Sequence, residues 1–327
     1  MSSSQILSPL LRPLQNLPDS LMIGVSGGID SLSLLHAIVE SGKKPIILHF
    51  NHGWRKESHH ESKSIQRLSQ SYQLPFFQGK APKNSPRTET AARKLRDAFF
   101  QRASKKFKCP HLLLAHHAND QVETFLLQLF RGTGSQGGGM EAYAERNGLI
   151  RLRPWLGIWK KEIHAYALEK KLHWNEDVTN LDSHHHRNWI RNELLPLLTT
   201  QLGREIPPLL LRTATILRDQ TQALYQQILP FLPLETVPIS TLKSLSRAQQ
   251  RLLIKSWLQT HSIPDPSFER IEAITTMITE AKPAKINLPE GNYVRRTNGV
   301  LWIDRAFKKK PLSALKKQKV KHCKKKF

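Results

Sequence analysis

The chain of 327 residues predicts an α/β fold, a doubly wound parallel sheet followed by a smaller, mostly helical α+β part. Short apolar runs alternate with helix-period segments as far as Phe130. A Ser-Gly-Gly turn joins the first apolar run directly to a helix. Beyond Ala284 the pattern changes to paired, alternating strands with turn residues between them.

The elements follow in order. Leu21–Val25 reads as a buried parallel strand, broken at Ser26-Gly27-Gly28. A helix resumes at Ser31, with Leu32, Leu35, His36 and Val39 on one face. Gly27 and Gly28 permit positive φ and close backbone approach, and Asp30 or Ser31 is expected to cap the helix. Pro45–Asn51 is a second strand, with Ile46, Leu48 and Phe50 on one face and His49 and Asn51 on the other. A polar helix over 57–72 and a short strand over 74–79 come next. Thr88–Lys106 is helical with Ala92, Leu95, Phe99 and Ala103 inward. His111–Ala115 is a strand, and Asn119–Phe130 a helix that buries Val122, Phe125, Leu126, Leu129 and Phe130.

A glycine loop, Gly132–Gly139, leads to Arg153-Pro154, a helix over 160–170 and a polar loop over 175–187. Helices are expected at 189–198 and 208–230, then over 240–281 with a break at Pro264 and Pro266. Strands at 284–288 and 293–303 close the pattern. The domain boundary is placed near residue 200, giving a catalytic part over 1–200, a helical plus small β part over 201–307 and a basic tail over 308–327.

Composition narrows the class. Fifty Lys and Arg against 26 Asp and Glu give a formal charge of +24, a field that attracts polyanions, of which nucleic acid is the commonest in a cytoplasm. The tail holds ten lysines and no acid, so the first 307 residues still carry +14. The tail reads as a disordered, solvated or RNA-contacting arm. Two cysteines, Cys109 and Cys323, form no disulfide framework, which fits a reducing cytoplasm. No apolar run is long enough for a membrane span, and the start lacks a secretory pattern.

A strand, a glycine turn and a helix N-terminus converge free N–H donors and a dipole end on one point, a geometry that suits phosphate. The loop is not a Walker A motif, because no Gly-Lys-Ser/Thr follows. The bland alternative is a tight strand-to-helix turn with Asp30 as a cap. A second group of polar residues closes the strand before His116-His117-Ala118-Asn119-Asp120-Gln121-Val122-Glu123. Asp120 and Glu123 share a helix face in its first turn. Acids there also favour the helix dipole without any function. His184-His185-His186 invites a metal reading, but adjacent histidines cannot all face one ion and no cysteine is near. Trp155, Trp159, Trp174 and Trp189 are either core anchors or platforms for a flipped base.

SGGIDS resembles the pyrophosphate loop of the ATP-pyrophosphatase (PP-loop) superfamily. With HFNHGWRKES, ETAARKLRDAFF, LLAHHANDQVETFLLQLFRGTG, DVTNLD and RNWIRNELLP in order, residues 20–200 resemble the tRNA(Ile)-lysidine synthetases. PEGNYVRRTNGVLWI weakly resembles that family's C-terminal module. The family usually shows His-His-x-Asp-Asp; here Asn119 replaces the first acid.

The resemblance implies an AMP-forming, ATP-dependent ligase acting on the wobble cytidine of a CAU-anticodon tRNA(Ile). ATP adenylates the C2 oxygen, and the ε-amine of free lysine displaces AMP to leave lysidine. By motif position, Ser26, Gly27, Gly28, Ile29, Asp30, Ser31 and Arg93 bind ATP, and Asp30 holds magnesium. Asp120, Glu123 and His117 bind lysine. Asp30, Asp120 and Arg191 form the catalytic set. One of the lysine-site groups takes the proton the amine must lose. The closest rival is a PP-loop tRNA thiolase, which usually brings paired cysteines. A glutamine-dependent amidotransferase and a non-catalytic RNA-binding protein are two further rivals.

Overall fold

The computed structural model describes residues 9–53, 58–82, 84–86, 88–132, 138–175, 186–263, 266–280 and 284–305. Trp54 and Arg55, the Asp177–Asp182 stretch, His184, His185, Cys323 and the basic tail lie outside these residues. The chain divides into two compact units, Met1–Arg218 and Asp219–Phe327. That division falls later than the boundary placed near residue 200, inside the long helix Pro207–Ile228. Ile206, Leu209, Leu210 and Leu211 pack with Val122 and Leu126, which ties the start of that helix to the first unit.

In the first unit six strands form one sheet in the order β3-β2-β1-β4-β6-β5. Their ranges are β1 Met22–Gly24, β2 Ile46–Asn51, β3 Phe76–Lys80, β4 His111–Leu113, β5 Tyr143–Arg146 and β6 Leu149–Leu152. All neighbours are parallel except β5 and β6, which form an antiparallel hairpin at one edge. The expectation had no strands over 140–152. An Asn147-Gly148 turn, both residues at positive φ, marks this hairpin and was the available signal.

Helices cover both faces. They are α1 Ile29–Glu40, α2 Ser58–Ser71, α3 Glu89–Phe107, α4 Ala118–Phe130 and α5 Lys160–Glu169. On one face Ile23 and Ile47 pack with Leu34, Leu35 and Ile38 of α1 and with Ile163 and Tyr166 of α5. On the other, Met22, Leu48, Phe50, Leu112 and Leu149 pack with Phe99, Phe100 and Ala103 of α3. The helix α1 is therefore buried nearly all round, beyond the single face expected of it. In α4, by contrast, Leu129 and Phe130 are exposed, not inward. Trp155 is fully buried and its indole N–H donates to the Leu10 carbonyl at 3.0 Å, so it is a core anchor.

After α5 the chain runs through α6 His186–Trp189, a π-turn Ile190–Leu194 and α7 Leu195–Leu202. The expectation was one regular helix from Trp189. Pro196 has no N–H to give, and the Leu195 N–H instead reaches back to the Ile190 carbonyl, which produces the wider turn. The second unit continues α8 Pro207–Ile228 into α9 Ile239–Ser244, α10 Arg247–Thr260 and α11 Phe268–Thr279. Its sheet orders β7-β10-β9-β8, with β7 Val237–Pro238, β8 Lys285–Asn287, β9 Tyr293–Thr297 and β10 Val300–Asp304. Trp257, Leu253, Ile274, Met277, Val294 and Leu301 form its core. No helix among the described residues is long and apolar enough to cross a membrane.

Candidate active site

Strand order reverses between β1 and β4: from β1 the chain moves outward through β2 and β3, then returns to β4 on the other side. Loops leaving neighbouring strands at such a point diverge and open a crevice at the strands' carboxyl ends. The loop after β1 is Ser26–Gly28, and the segment after β4 is His116–Asp120. Sheet topology thus brings the two sequence-predicted groups together.

The Ser26–Ser31 loop is a closed hydrogen-bonded ring. Ser31 Oγ accepts from the Ser26 N–H at 3.1 Å and donates to the Gly28 carbonyl at 3.0 Å. Ser26 Oγ accepts from the Gly28 N–H at 3.4 Å and lies 3.1 Å from Ser31 Oγ. Gly27 sits at φ +96, where a side chain would be strained, and Gly28 is extended. The cap differs from the expectation. Gly28 is the N-cap of α1, without a side-chain cap, while Ser31 is spent on the ring and Asp30 stands in the first turn. Ile29 opens the helix behind them.

Asp30 faces across the crevice. Its Oδ2 is 3.7 Å from His117 Nε2, and its Oδ1 is buried without a hydrogen-bond partner among the described residues. Burial pushes the Asp30 carboxyl upward, but His117, then Lys160 and Arg191, outweigh it and hold the pKa below the usual aspartate value. Lys160, at the start of α5, was not among the sequence candidates.

His117 is the N-cap of α4. Its Nδ1 accepts from the Asp120 N–H at 3.4 Å, and its own backbone N–H donates to Asp120 Oδ2 at 3.1 Å. A backbone N–H can only donate, so Nδ1 is the bare nitrogen and the ring proton sits on Nε2. That ring N–H points between Asp30 and Asp120, at 3.7 and 3.6 Å.

Glu123 is 1% exposed and accepts from Arg191 Nε at 2.6 Å, while Arg191 Nη2 lies 3.7 Å from Asp120. Burial raises the Glu123 pKa above the usual glutamate range against the pull of Arg191. The second oxygen, Oε2, is buried without a partner among the described residues. The π-turn is what aims Arg191 back at α4. Asn119 serves the fold instead, since its Oδ1 accepts from the Lys160 N–H at 3.0 Å and caps α5.

Arg93 stands exposed on α3, in the field of Arg153, and no contact with the Ser26–Ser31 loop is present among the described residues. His49 plays a part that the strand pattern alone did not reveal. Its Nδ1–H donates to the Val25 carbonyl at 2.9 Å, at the doorstep of the loop, and its Nε2 accepts from Ser62 Oγ at 3.0 Å. Asn51 Nδ2 donates to the same hydroxyl at 3.1 Å. Gly139, at positive φ, lies against Gln121, whose amide binds Met140 on both its N–H and its carbonyl and so straps α4.

Comparison with known proteins gives matches over both units. A family model described as a PP-loop domain matches residues 3–198, and one described as the TilS substrate binding domain matches residues 238–302. A tRNA(Ile)-lysidine synthase from Thermosynechococcus vestitus is 30% identical over 303 residues, 88% of this chain and 88% of that protein. Proteins of that name from Exiguobacterium sibiricum and Haemophilus ducreyi are 29% and 31% identical over 77% and 78% of this chain. The chain spans 62% and 61% of the length of those two relatives. Among solved structures, the U34-tRNA thiolase NcsA from Methanococcus maripaludis superposes with TM-score 0.53 at 14% identity, over 66% of this chain and 78% of its own. That likeness is one of fold.

Proposed function

This chain belongs to the tRNA(Ile)-lysidine synthase family of PP-loop proteins, and from that premise we propose that it ligates free lysine to the wobble cytidine of a CAU-anticodon tRNA(Ile). The observation that carries the reading is the meeting of the Ser26–Ser31 ring with the Asp30–His117–Asp120 group across the switch point.

ATP binds with its phosphates over the ring, where the N-terminus of α1 and the loop N–H groups supply fixed positive ends. The C2 oxygen of cytidine attacks the α-phosphorus, pyrophosphate leaves, and the oxygen now carries AMP. The lysine amine then forms the new N–C2 bond as the C2–O bond to AMP breaks, and the nitrogen sheds its surplus proton. The unpaired, buried Asp30 Oδ1 fits a hard divalent cation, and magnesium there would neutralise charge on the departing phosphates. Among the described residues no group of three or more His, Cys, Asp or Glu side chains is placed to hold a metal ion by itself.

Asp120 supplies the negative charge that seats the lysine ammonium, while Glu123, 1% exposed, holds Arg191 beside it. Asp120 is the proton acceptor best supported by the hydrogen bonds, because accepting at His117 Nδ1 would release the cap on α4. His117 instead sets its ring N–H between the Asp30 and Asp120 carboxylates, where it offsets their repulsion. Arg191, anchored by Glu123, stands ready to stabilise charge on the adenylate.

The thiolase alternative has no support of its own. The only described cysteine, Cys109, is buried with its thiol toward the His111 carbonyl. The test is incubation with ATP, unmodified tRNA(Ile) and labelled lysine, cysteine or glutamine in parallel. Lysine-dependent label in the tRNA with AMP release is the expected result. Label from cysteine or glutamine, or from no donor, overturns the proposal.

A further inference from the structure

Three carbonyls in and beside the Ser26–Ser31 loop are occupied. Val25 accepts from His49 Nδ1–H at 2.9 Å, and Gly28 accepts from Ser31 Oγ at 3.0 Å and from the Leu32 N–H at 3.1 Å. The Gly27 carbonyl accepts from a residue far along the chain, the backbone N–H of Asn175 at 3.2 Å. Asn175 lies outside the motif positions that the resemblance gives to ATP.

Packing sets its place. Lys171, at φ +51, ends α5 in the left-handed region. Its N–H reaches the Leu168 carbonyl at 3.1 Å, and the Leu172 N–H reaches the Ala167 carbonyl at 2.9 Å. Beyond this turn Leu172 and Trp174 pack against the cluster that holds Val25, Leu32 and Ile65, and Trp174 meets the His164 ring edge to face at 5.6 Å. The segment therefore comes to the loop held from its own core side. A Cβ on Gly27 would lie 3.6 Å from Ile65 Cδ1 and 3.9 Å from Asn175 Nδ2, so both residues stand against the turn.

Gly27 and Gly28 are joined by one planar peptide, whose carbonyl and N–H point in opposite directions. With the carbonyl on Asn175, the Gly28 N–H turns into the ring, toward Ser26 Oγ at 3.4 Å. That bond is long, and a phosphate oxygen can take its place. A peptide between two glycines rotates at little steric cost. Turned over, it would set a carbonyl dipole against the phosphates where a donor now stands.

We propose that Asn175 is a positioning residue for ATP, its backbone N–H locking the Gly27–Gly28 peptide with the N–H toward the triphosphate. This rests on the nucleotide site proposed above and adds to it a residue from the segment after α5. The side-chain amide of Asn175 is not required.

The test uses the full chain. Asn175→Pro deletes the N–H, whereas Asn175→Ala keeps it and removes the amide. Binding of ATP and of adenosine is measured by equilibrium dialysis, and binding of labelled tRNA on filters. Asn175→Pro should bind ATP about 10-fold more weakly, with adenosine and tRNA within about 2-fold; Asn175→Ala should match the parent within about 2-fold throughout. Unchanged ATP affinity in Asn175→Pro overturns the proposal. So does an equal loss for adenosine, or an Asn175→Ala variant as weak as Asn175→Pro. Hydrogen exchange on the parent decides the matter if the proline variant does not fold. Asn175 is exposed, yet its amide should exchange at least about 10-fold more slowly than an unbonded one, and more slowly still with ATP. Exchange at the unbonded rate overturns the assignment. A parent that shows the protection but ligates no lysine keeps Asn175 in its role and removes the function proposed above.

Discussion

Replacing Arg191 with methionine keeps a packed, unbranched stem and deletes the charge. Glu123 then loses the donor at 2.6 Å, and at 1% exposure it has no water to replace it. Removing one partner of a buried ion pair costs about 3–5 kcal/mol. The Arg191 side chain is 30% exposed, and solvent screening lowers the expectation to about 2–3 kcal/mol. For a unit of this size that corresponds to a fall in Tm of roughly 4–12 °C. The loss should depend on pH. Burial already raises the Glu123 pKa against the pull of Arg191. A carboxyl with a raised folded-state pKa favours folding below its unfolded pKa, and that contribution is lost as pH rises through the folded value. Without Arg191 the folded value rises further, so the deficit should be small near about pH 5 and full near about pH 8. Urea denaturation of Arg191→Met, Glu123→Gln and the double variant at both pH values measures this. Equal losses at the two pH values, or single-variant losses that add within about 0.5 kcal/mol, would refute the pairing.

Asp30→Asn should abolish tRNA-dependent pyrophosphate exchange and leave tRNA binding within about 2-fold, read by exchange of labelled pyrophosphate and by filter binding; unchanged exchange removes Asp30 from the mechanism. Ser31→Ala opens the ring at both the Ser26 N–H and the Gly28 carbonyl, and the KM for ATP should rise about 10-fold with a smaller change in kcat. His49→Leu strips the donor from the Val25 carbonyl and should lower stability by about 1–3 kcal/mol while raising the KM for ATP, measured by melting and by ATP titration. Deletion of Lys308–Phe327 should weaken tRNA binding and reduce its salt slope by at least about 2, with turnover at saturation unchanged; an unaltered slope shows that the tail makes no phosphate contacts.

What the sequence alone determined is local. The apolar run, glycine turn and helix start of Met22–Glu40 depend on neighbours along the chain, and so do the acids opening α4. Their periodicity and backbone requirements are written in consecutive residues, and both elements lie where the pattern put them. The family resemblance rests on the same consecutive motifs. The β5–β6 hairpin carried a local signal too, in Asn147-Gly148, although each flank is only four residues long and β5 is largely exposed.

Only the tertiary structure decided which of these residues meet. Strand order set the loop after β1 beside the segment after β4, and long-range packing set His49 under Val25 and Lys160 near Asp30. Asn119 shows the limit clearly, since the motif marked it only as a replaced acid and its partner is a backbone N–H on another helix. Propensity and spacing act over a few residues, whereas burial, field and pairing depend on which distant segments share a low-dielectric space.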